Sequence, residues 1–239
     1  NITPDAKHGI GRWSEADFLR ALREGVSPGG ESYFPAFPYT SYTGMSDADA
    51  RALWAYLKTR PAVAQANKRH ELKWYVRRPF MRVWKWLYFG PKRFVPAGKD
   101  AQIDRGAYIA EALAHCGECH TPRTRLGAMN KDLWLAGNPD GPDGDTIPNI
   151  TPDKKTGIGR WTRSDLAEYF DSGMTPDGDF AGGAMADVVK RSLRPLTDSD
   201  RAALVAYLRA LRAIERTVPH ERDNGHGATK KPRVKEPFE

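Results

Sequence analysis

One pentapeptide occurs twice in this chain, and so does much of what surrounds it. Asn1-Ile2-Thr3-Pro4-Asp5 returns as Asn149-Ile150-Thr151-Pro152-Asp153. At the same offset Gly9-Ile10-Gly11-Arg12-Trp13 returns as Gly157-Ile158-Gly159-Arg160-Trp161, Asp17 matches Asp165, and Gly25 matches Gly173. Further on, Ser46-Asp47-Ala48-Asp49 parallels Thr197-Asp198-Ser199-Asp200, and Ala55-Tyr56-Leu57 parallels Ala206-Tyr207-Leu208. A repeat this long within 239 residues makes two copies of one small domain the basic plan. The first copy starts midway, so we expect it to be incomplete on its N-terminal side.

Each copy reads as helices joined by loops. Trp13 to Glu24 carries Phe18, Leu19 and Leu22 at helical spacing and closes on Gly25; its counterpart runs from Trp161 to Ser172 and closes on Gly173. The last helix of each copy opens on a capping pattern, Ser46-x-x-Asp49 or Thr197-x-x-Asp200. It continues with Leu53, Tyr56 and Leu57, or with Leu204, Tyr207, Leu208 and Leu211, on one face. No stretch alternates as a half-buried strand would. The expected class is all-α.

Ahead of the second pentapeptide stands Cys116-Gly117-Glu118-Cys119-His120, which holds the only 2 cysteines of the chain. Cys-x-x-Cys-His is the attachment signal of a c-type haem. Two thiols one helical turn apart can add to the two vinyl groups on one haem edge, and the adjoining imidazole then falls under the iron. A thioredoxin-like redox pair would need a preceding strand, whereas Gly106 to His115 is an alanine-rich helix pattern. A zinc site would need two more ligands at finger or ribbon spacing, and His8, His70, His115, His220 and His226 do not supply it. A disulfide across two residues is strained. We therefore expect one covalent haem c in this chain, held by Cys116, Cys119 and His120.

Pro61 to Lys99 separates the copies. It sets Trp74, Trp84, Trp86, Leu87, Tyr88 and Phe89 among Arg77, Arg78, Arg82, Lys85 and Lys92. We read these aromatics as packing across the two copies, ahead of a membrane-surface or partner-docking role, because the apolar run is far too short to span a bilayer. The formal charge of +7 resides mostly here and in the tail. It points to an acidic partner or an anionic membrane surface; no nucleic-acid motif accompanies it. The expected boundaries are 1–60, 61–99, 100–214 and a charged, loosely ordered tail at 215–239. Haem attachment of this type takes place outside the cytoplasm, so a signal segment is expected before Asn1.

Gly106-Ala107-Tyr108-Ile109 through His120, followed by Thr121-Pro122-Arg123, resembles the start of a class I cytochrome c domain. With the two Asn-Ile-Thr-Pro-Asp and Gly-Ile-Gly-x-Trp loops and with Gly182-Gly183-Ala184-Met185, the chain is similar to multi-haem cytochrome c subunits of membrane-bound alcohol, aldehyde and sugar-acid dehydrogenases. The resemblance implies tandem class I domains, the first incomplete, in which the helix before the haem motif crosses the last helix. It implies a periplasmic place, with attachment to the membrane face. Electrons would come from a dehydrogenase subunit and leave to a downstream carrier or oxidase, with no catalytic site in this chain. It also implies a second haem in the intact protein.

Of the 5 methionines, Met185 is our expected distal ligand, since it stands in a glycine-rich stretch before the last helix. Met129 lies too near the haem motif, and Met174 matches Val26 of the first copy. Met45 is the only methionine of the first copy and is assigned to its missing haem; there Tyr33-Phe34-Pro35-Ala36-Phe37-Pro38-Tyr39 replaces the Gly-Gly-x-Met pattern. Asn149, Ile150, Thr151 and Pro152 are read as haem-pocket wall and propionate contacts, with plain loop geometry as the other reading. Trp161 and Arg160 offer N–H donors to a propionate. The alternative function is a haem enzyme whose iron keeps an open sixth position for a small sulfur or peroxide substrate. That needs a vacant site or a further cysteine, and Met185 stands where it can fill the site.

Overall fold

The structure is a computed structural model that describes residues 1–68, 78–98, 100–141 and 144–219. Trp74 and Arg77 of the connector, and the tail from residue 220, lie outside the described residues. In chain order the helices are α1 (Glu15–Glu24), α2 (Tyr39–Tyr42), α3 (Asp47–Lys58), α4 (Phe80–Tyr88), α5 (Ala101–Tyr108), α6 (Gly117–His120), α7 (Arg163–Ser172), α8 (Gly183–Val188) and α9 (Asp198–Ala210). Both α5 and α8 run on into a π-helical turn, Ile109–Leu113 and Val189–Leu193. Among the described residues β structure is limited to isolated bridges such as Val26–Ser32 and Met174–Phe180. The fold is all-α.

The repeat is visible as repeated bonding. Ser14 and Asp17 cap α1 reciprocally, Thr162 and Asp165 cap α7 in the same way, and Gly25 (φ 62°) and Gly173 (φ 84°) end these helices in the left-handed region. Tyr33 N–H donates to Gly25 O at 2.8 Å, and Ala181 N–H donates to Gly173 O at 2.9 Å.

The pentapeptide clasps the chain leaving the last helix. Asn1 Nδ2 donates to Val63 O at 2.7 Å and Val63 N–H donates to Thr3 Oγ1 at 3.1 Å. Asn149 Nδ2 donates to Ile214 O at 2.8 Å and Ile214 N–H donates to Thr151 Oγ1 at 3.2 Å. The first clasp therefore reaches Val63, beyond residue 60, and the second reaches Ile214. The segment is also not a loose tail as far as Val218: Arg216 reaches Ala136 O, and Gly137 lies against the Val218 side chain. A run after a helix offers bare backbone groups, and the Asn and Thr side chains satisfy them.

The copies differ in how their last helix is covered. In the second, α5 crosses α9 so closely that a Cβ on Gly106 would run into Ala203 O and the Tyr207 side chain. Ala203 to Leu208 are all buried, and the core continues through Ile109, Leu135, Leu166 and Phe170. In the first copy Ile10, Phe18, Leu22, Met45 and Ala50 form a smaller core. Tyr207 is 7% exposed and its counterpart Tyr56 is 54% exposed. Among the described residues no helix plays for α3 the part that α5 plays for α9.

In the connector, Met81 is buried and Trp84 partly so. Phe80, Val83, Trp86 and Leu87 stay exposed. The expected packing therefore covers one side of α4 only, because the neighbouring loops reach it from that side.

Candidate haem site

His115 carries a positive φ of 45° and turns the chain out of α5 and its π turn. Cys116 N–H then donates to Ala110 O at 2.9 Å, and His120 N–H donates to Cys116 O at 3.0 Å. One helical turn thus carries both thiols and the imidazole, as the chemistry of the motif requires. Both cysteines are free thiols, each partly exposed. Burial pushes the Cys116 thiol up to about 12, and burial together with Glu118 pushes Cys119 up as well. A redox-active Cys-x-x-Cys needs the opposite shift.

His120 is 8% exposed. Its Nδ1 lies 2.9 Å from Pro148 O, and since a carbonyl can only accept, Nδ1 carries the proton. That leaves Nε2 as the lone-pair nitrogen, and among the described residues nothing bonds to it. Burial also holds the imidazole below its ordinary pKa, in the neutral form that a metal takes.

Two groups around the motif were not legible from the sequence. Trp134 lies so close to Gly117 that a Cβ there would strike its ring. Its Nε1 donates to Tyr207 Oη at 3.0 Å, and Tyr207 donates to Glu111 Oε1 at 2.7 Å. Burial raises the Glu111 carboxyl. This chain ties the motif to α5 and α9 at once. The second group is Glu118, between the cysteines. It accepts from Thr40 Oγ1 at 2.6 Å and Ser41 Oγ at 3.0 Å, both on α2 of the first copy, and pairs with Arg123. The Tyr42 ring stands edge-on to His115 at 5.5 Å. The repeat hinted at Tyr207, but nothing near Trp134 or Glu118 in sequence announces their partners.

The other expected site residues divide. Met185 lies on α8 rather than in a loop, partly buried against the second core. Ile150 packs on the same core and donates to Leu135 O at 3.0 Å. Trp161 packs there too, edge-on to Tyr169 at 5.4 Å, while Arg160 is exposed and Pro152 partly buried. Asn149 is 3% exposed. Its amide donates to Thr156 Oγ1 and Ile214 O and accepts from Thr151 N–H and Oγ1, which uses both donors and both lone pairs. All of its amide hydrogen-bonding capacity is thus used within the clasp. Thr151 is fully buried in the same clasp.

The repeat register sets Met45 apart from Met185. Met45 is 4% exposed inside the first core, and the repeat register puts it opposite Leu196, a packing residue. The register running from Gly25–Gly173 through the Val26–Ser32 and Met174–Phe180 bridges instead brings Phe37 to the place of Met185. Phe37 sits in an aromatic cluster with Tyr33 (5.8 Å) and Tyr42 (5.9 Å). Counting residues from Gly25 would have found this; anchoring on the later Ser46 misses it, since the intervening segment differs in length between the copies.

The family model for cytochrome c matches residues 103–212. The chain is 47% identical over 216 residues to a diheme cytochrome c-type protein of Cereibacter sphaeroides, covering 90% of this chain and 71% of that protein. The chain belongs to the cytochrome c family. This cytochrome is also 41% identical over 225 residues to the gluconate 2-dehydrogenase cytochrome c subunit of Pantoea cypripedii, covering 89% of this chain and 50% of that protein. It is 38% identical over 218 residues to the fructose dehydrogenase cytochrome subunit of Gluconobacter japonicus, with 89% and 44% covered. The chain spans about half the length of these two dehydrogenase subunits.

The cofactor of this cytochrome is covalently bound haem c, and its function is electron transfer. The residues present fit the group: two free thiols on one turn and a neutral, buried imidazole with an unbonded Nε2. When bound, haem supplies reversible one-electron oxidation and reduction at iron.

Proposed function

We propose that this cytochrome is part of a dehydrogenase cytochrome subunit, working outside the cytoplasm at the periplasmic face of a membrane. It would accept electrons from a dehydrogenase subunit and pass them to a further carrier or oxidase. Cys116 and Cys119 would hold the haem by thioethers, His120 would bind iron through Nε2, and Met185 would take the opposite side. The observation that carries the site is the His120–Pro148 bond, which orients the ring and fixes its tautomer. The names of two relatives, cytochrome subunits of gluconate and fructose dehydrogenases, carry the choice of partner.

The chain's own part is to hold and to shield. The Glu118 anchors fix the motif against α2, and Trp134 closes the side at Gly117. Leu135, fully buried in the second core, donates its N–H to Thr121 Oγ1 at 3.0 Å, directly after the motif. A thioether ligand favours the reduced state and sets a higher potential than a second imidazole would.

The exposed α3 face supports reading residues 1–60 as the last part of another haem domain of the intact protein. With Phe37 where the second copy has Met185, that domain would receive no thioether at the equivalent place. The test of the main reading is a redox titration of the holoprotein, with haem retained on a denaturing gel. Haem released by acid extraction would sink covalent attachment at Cys116 and Cys119.

A further inference from the structure

Helix α4 is gripped on one side and bare on the other. Lys85 Nζ donates to Glu24 O at 2.6 Å and Gly25 O at 2.7 Å, and lies 4.8 Å over the Tyr39 ring. Trp84 Nε1 donates to Leu126 O at 2.8 Å, in the loop that follows the haem motif. These bonds fix α4 against both copies of the repeat. The opposite face presents Phe80, Val83, Trp86 and Leu87, residues three and four apart along the helix. Trp86 is 81% exposed, Phe80 62%, Val83 56% and Leu87 53%; Leu126 beside them is 63% exposed. An apolar face of this size on a rigidly held helix marks a contact surface.

The charges around it indicate what covers it. Among the described residues Arg82 on α4 and Arg125 next to Leu126 have no carboxylate partner within ion-pair distance, whereas Arg78, just before the helix, is paired with Glu31. Tryptophan, phenylalanine and leucine flanked by the unpaired cations Arg82 and Arg125 suit the boundary of an anionic bilayer: the headgroups meet the cations and the acyl boundary takes the rings. The net charge of +7 adds to the attraction. No helix among the described residues is long and apolar enough to cross a membrane, so the contact is one of lying on the surface.

We propose that the Phe80–Val83–Trp86–Leu87 face of α4 seats this cytochrome on an anionic phospholipid surface. The proposal rests on the functional reading above only for its place at a membrane face. Through the Trp84–Leu126 bond, the seat also fixes the orientation of the haem-binding copy toward the bilayer.

The test is partition of the holoprotein onto phosphatidylcholine vesicles with and without phosphatidylglycerol. Binding to the anionic vesicles at low salt, weakening as salt rises, is expected. The double variant Trp86→Ser/Leu87→Ser should bind about tenfold or more weakly, with its haem spectrum and melting temperature unchanged. No binding of the unaltered protein to anionic vesicles, or equal binding by the double variant, overturns the proposal. So does shielding of Trp86 by a purified dehydrogenase partner but not by vesicles, which would make the face a protein interface. Uptake of electrons from a soluble donor does not involve this face, so its failure would count against the proposed function and leave the vesicle result standing.

Discussion

Tyr108, on the helix that leads into the haem motif, donates its hydroxyl to Asp49, the capping acid of the other copy's last helix. The same hydroxyl accepts from Ser46 N–H at 2.9 Å. A turn earlier on α5, Arg105 grips Asp200 with two bonds of 2.7 and 2.8 Å. Asp49 and Asp200 are equivalent positions of the repeat. One helix therefore fastens the caps of both last helices and makes the two copies a single unit. Tyr108→Phe should cost about 1.5–3 kcal/mol, the worth of a hydrogen bond to a charged group. Urea unfolding measures it. An unchanged midpoint would mean that the copies do not depend on this bond.

Both carboxylates are held below their ordinary pKa: Asp49 by hydrogen bonds from Tyr108 and Ser46, Asp200 by Arg105. A carboxylate whose folded pKa lies below its unfolded value adds stability above the unfolded pKa, near 3.8, and loses it as pH falls through the folded value. Stability should hold down to roughly pH 4 and fall below it. Asp49→Asn should flatten that fall in melting curves taken across the acid range. A slope identical to that of the unaltered protein would remove Asp49 from the account.

Asn149→Ala breaks four hydrogen bonds inside one clasp. The cost should be about 1–3 kcal/mol from the buried groups it strands, with faster amide exchange in residues 211–218. The midpoint potential should stay the same, because the Asn149 amide has no free donor to offer a propionate. A potential that moves clearly would restore the propionate role.

Met45 packs where the second copy has Leu196. Met45→Leu should cost under about 1.5 kcal/mol and Met45→Ala about 2–5 kcal/mol. The haem spectrum should be unchanged in both, as absorption and thermal melting on one sample will show.

The sequence carried the architecture well where the two copies could be laid over each other. The caps at Ser46 and Thr197 and the glycine ends at Gly25 and Gly173 follow from local pattern, whereas the α5–α9 crossing came only from the resemblance to class I cytochrome c domains. The haem motif was legible because its chemistry demands a fixed spacing. What the sequence hid depends on distant partners. Glu118 is one residue between two cysteines until α2 arrives from the first copy. A buried, repeated asparagine such as Asn149 can serve a cofactor or a backbone equally well, and its bond to Ile214 O is not visible in the sequence. Met45 drew attention as the only methionine of its copy, while the register counted from Gly25 points to Phe37 instead. The bare side of α4 was hidden for the same reason: sequence shows that a helix is aromatic, and contacts alone show which side is covered.

The central claim is the ligand set His120 and Met185 on a single covalent haem. The most direct measurement is the methionine-to-iron charge-transfer band of the oxidised holoprotein, compared with that of Met185→Ala. The account predicts the band in the unaltered protein and in Met45→Leu, and its loss in Met185→Ala together with a lower midpoint potential. A band that survives Met185→Ala would contradict it.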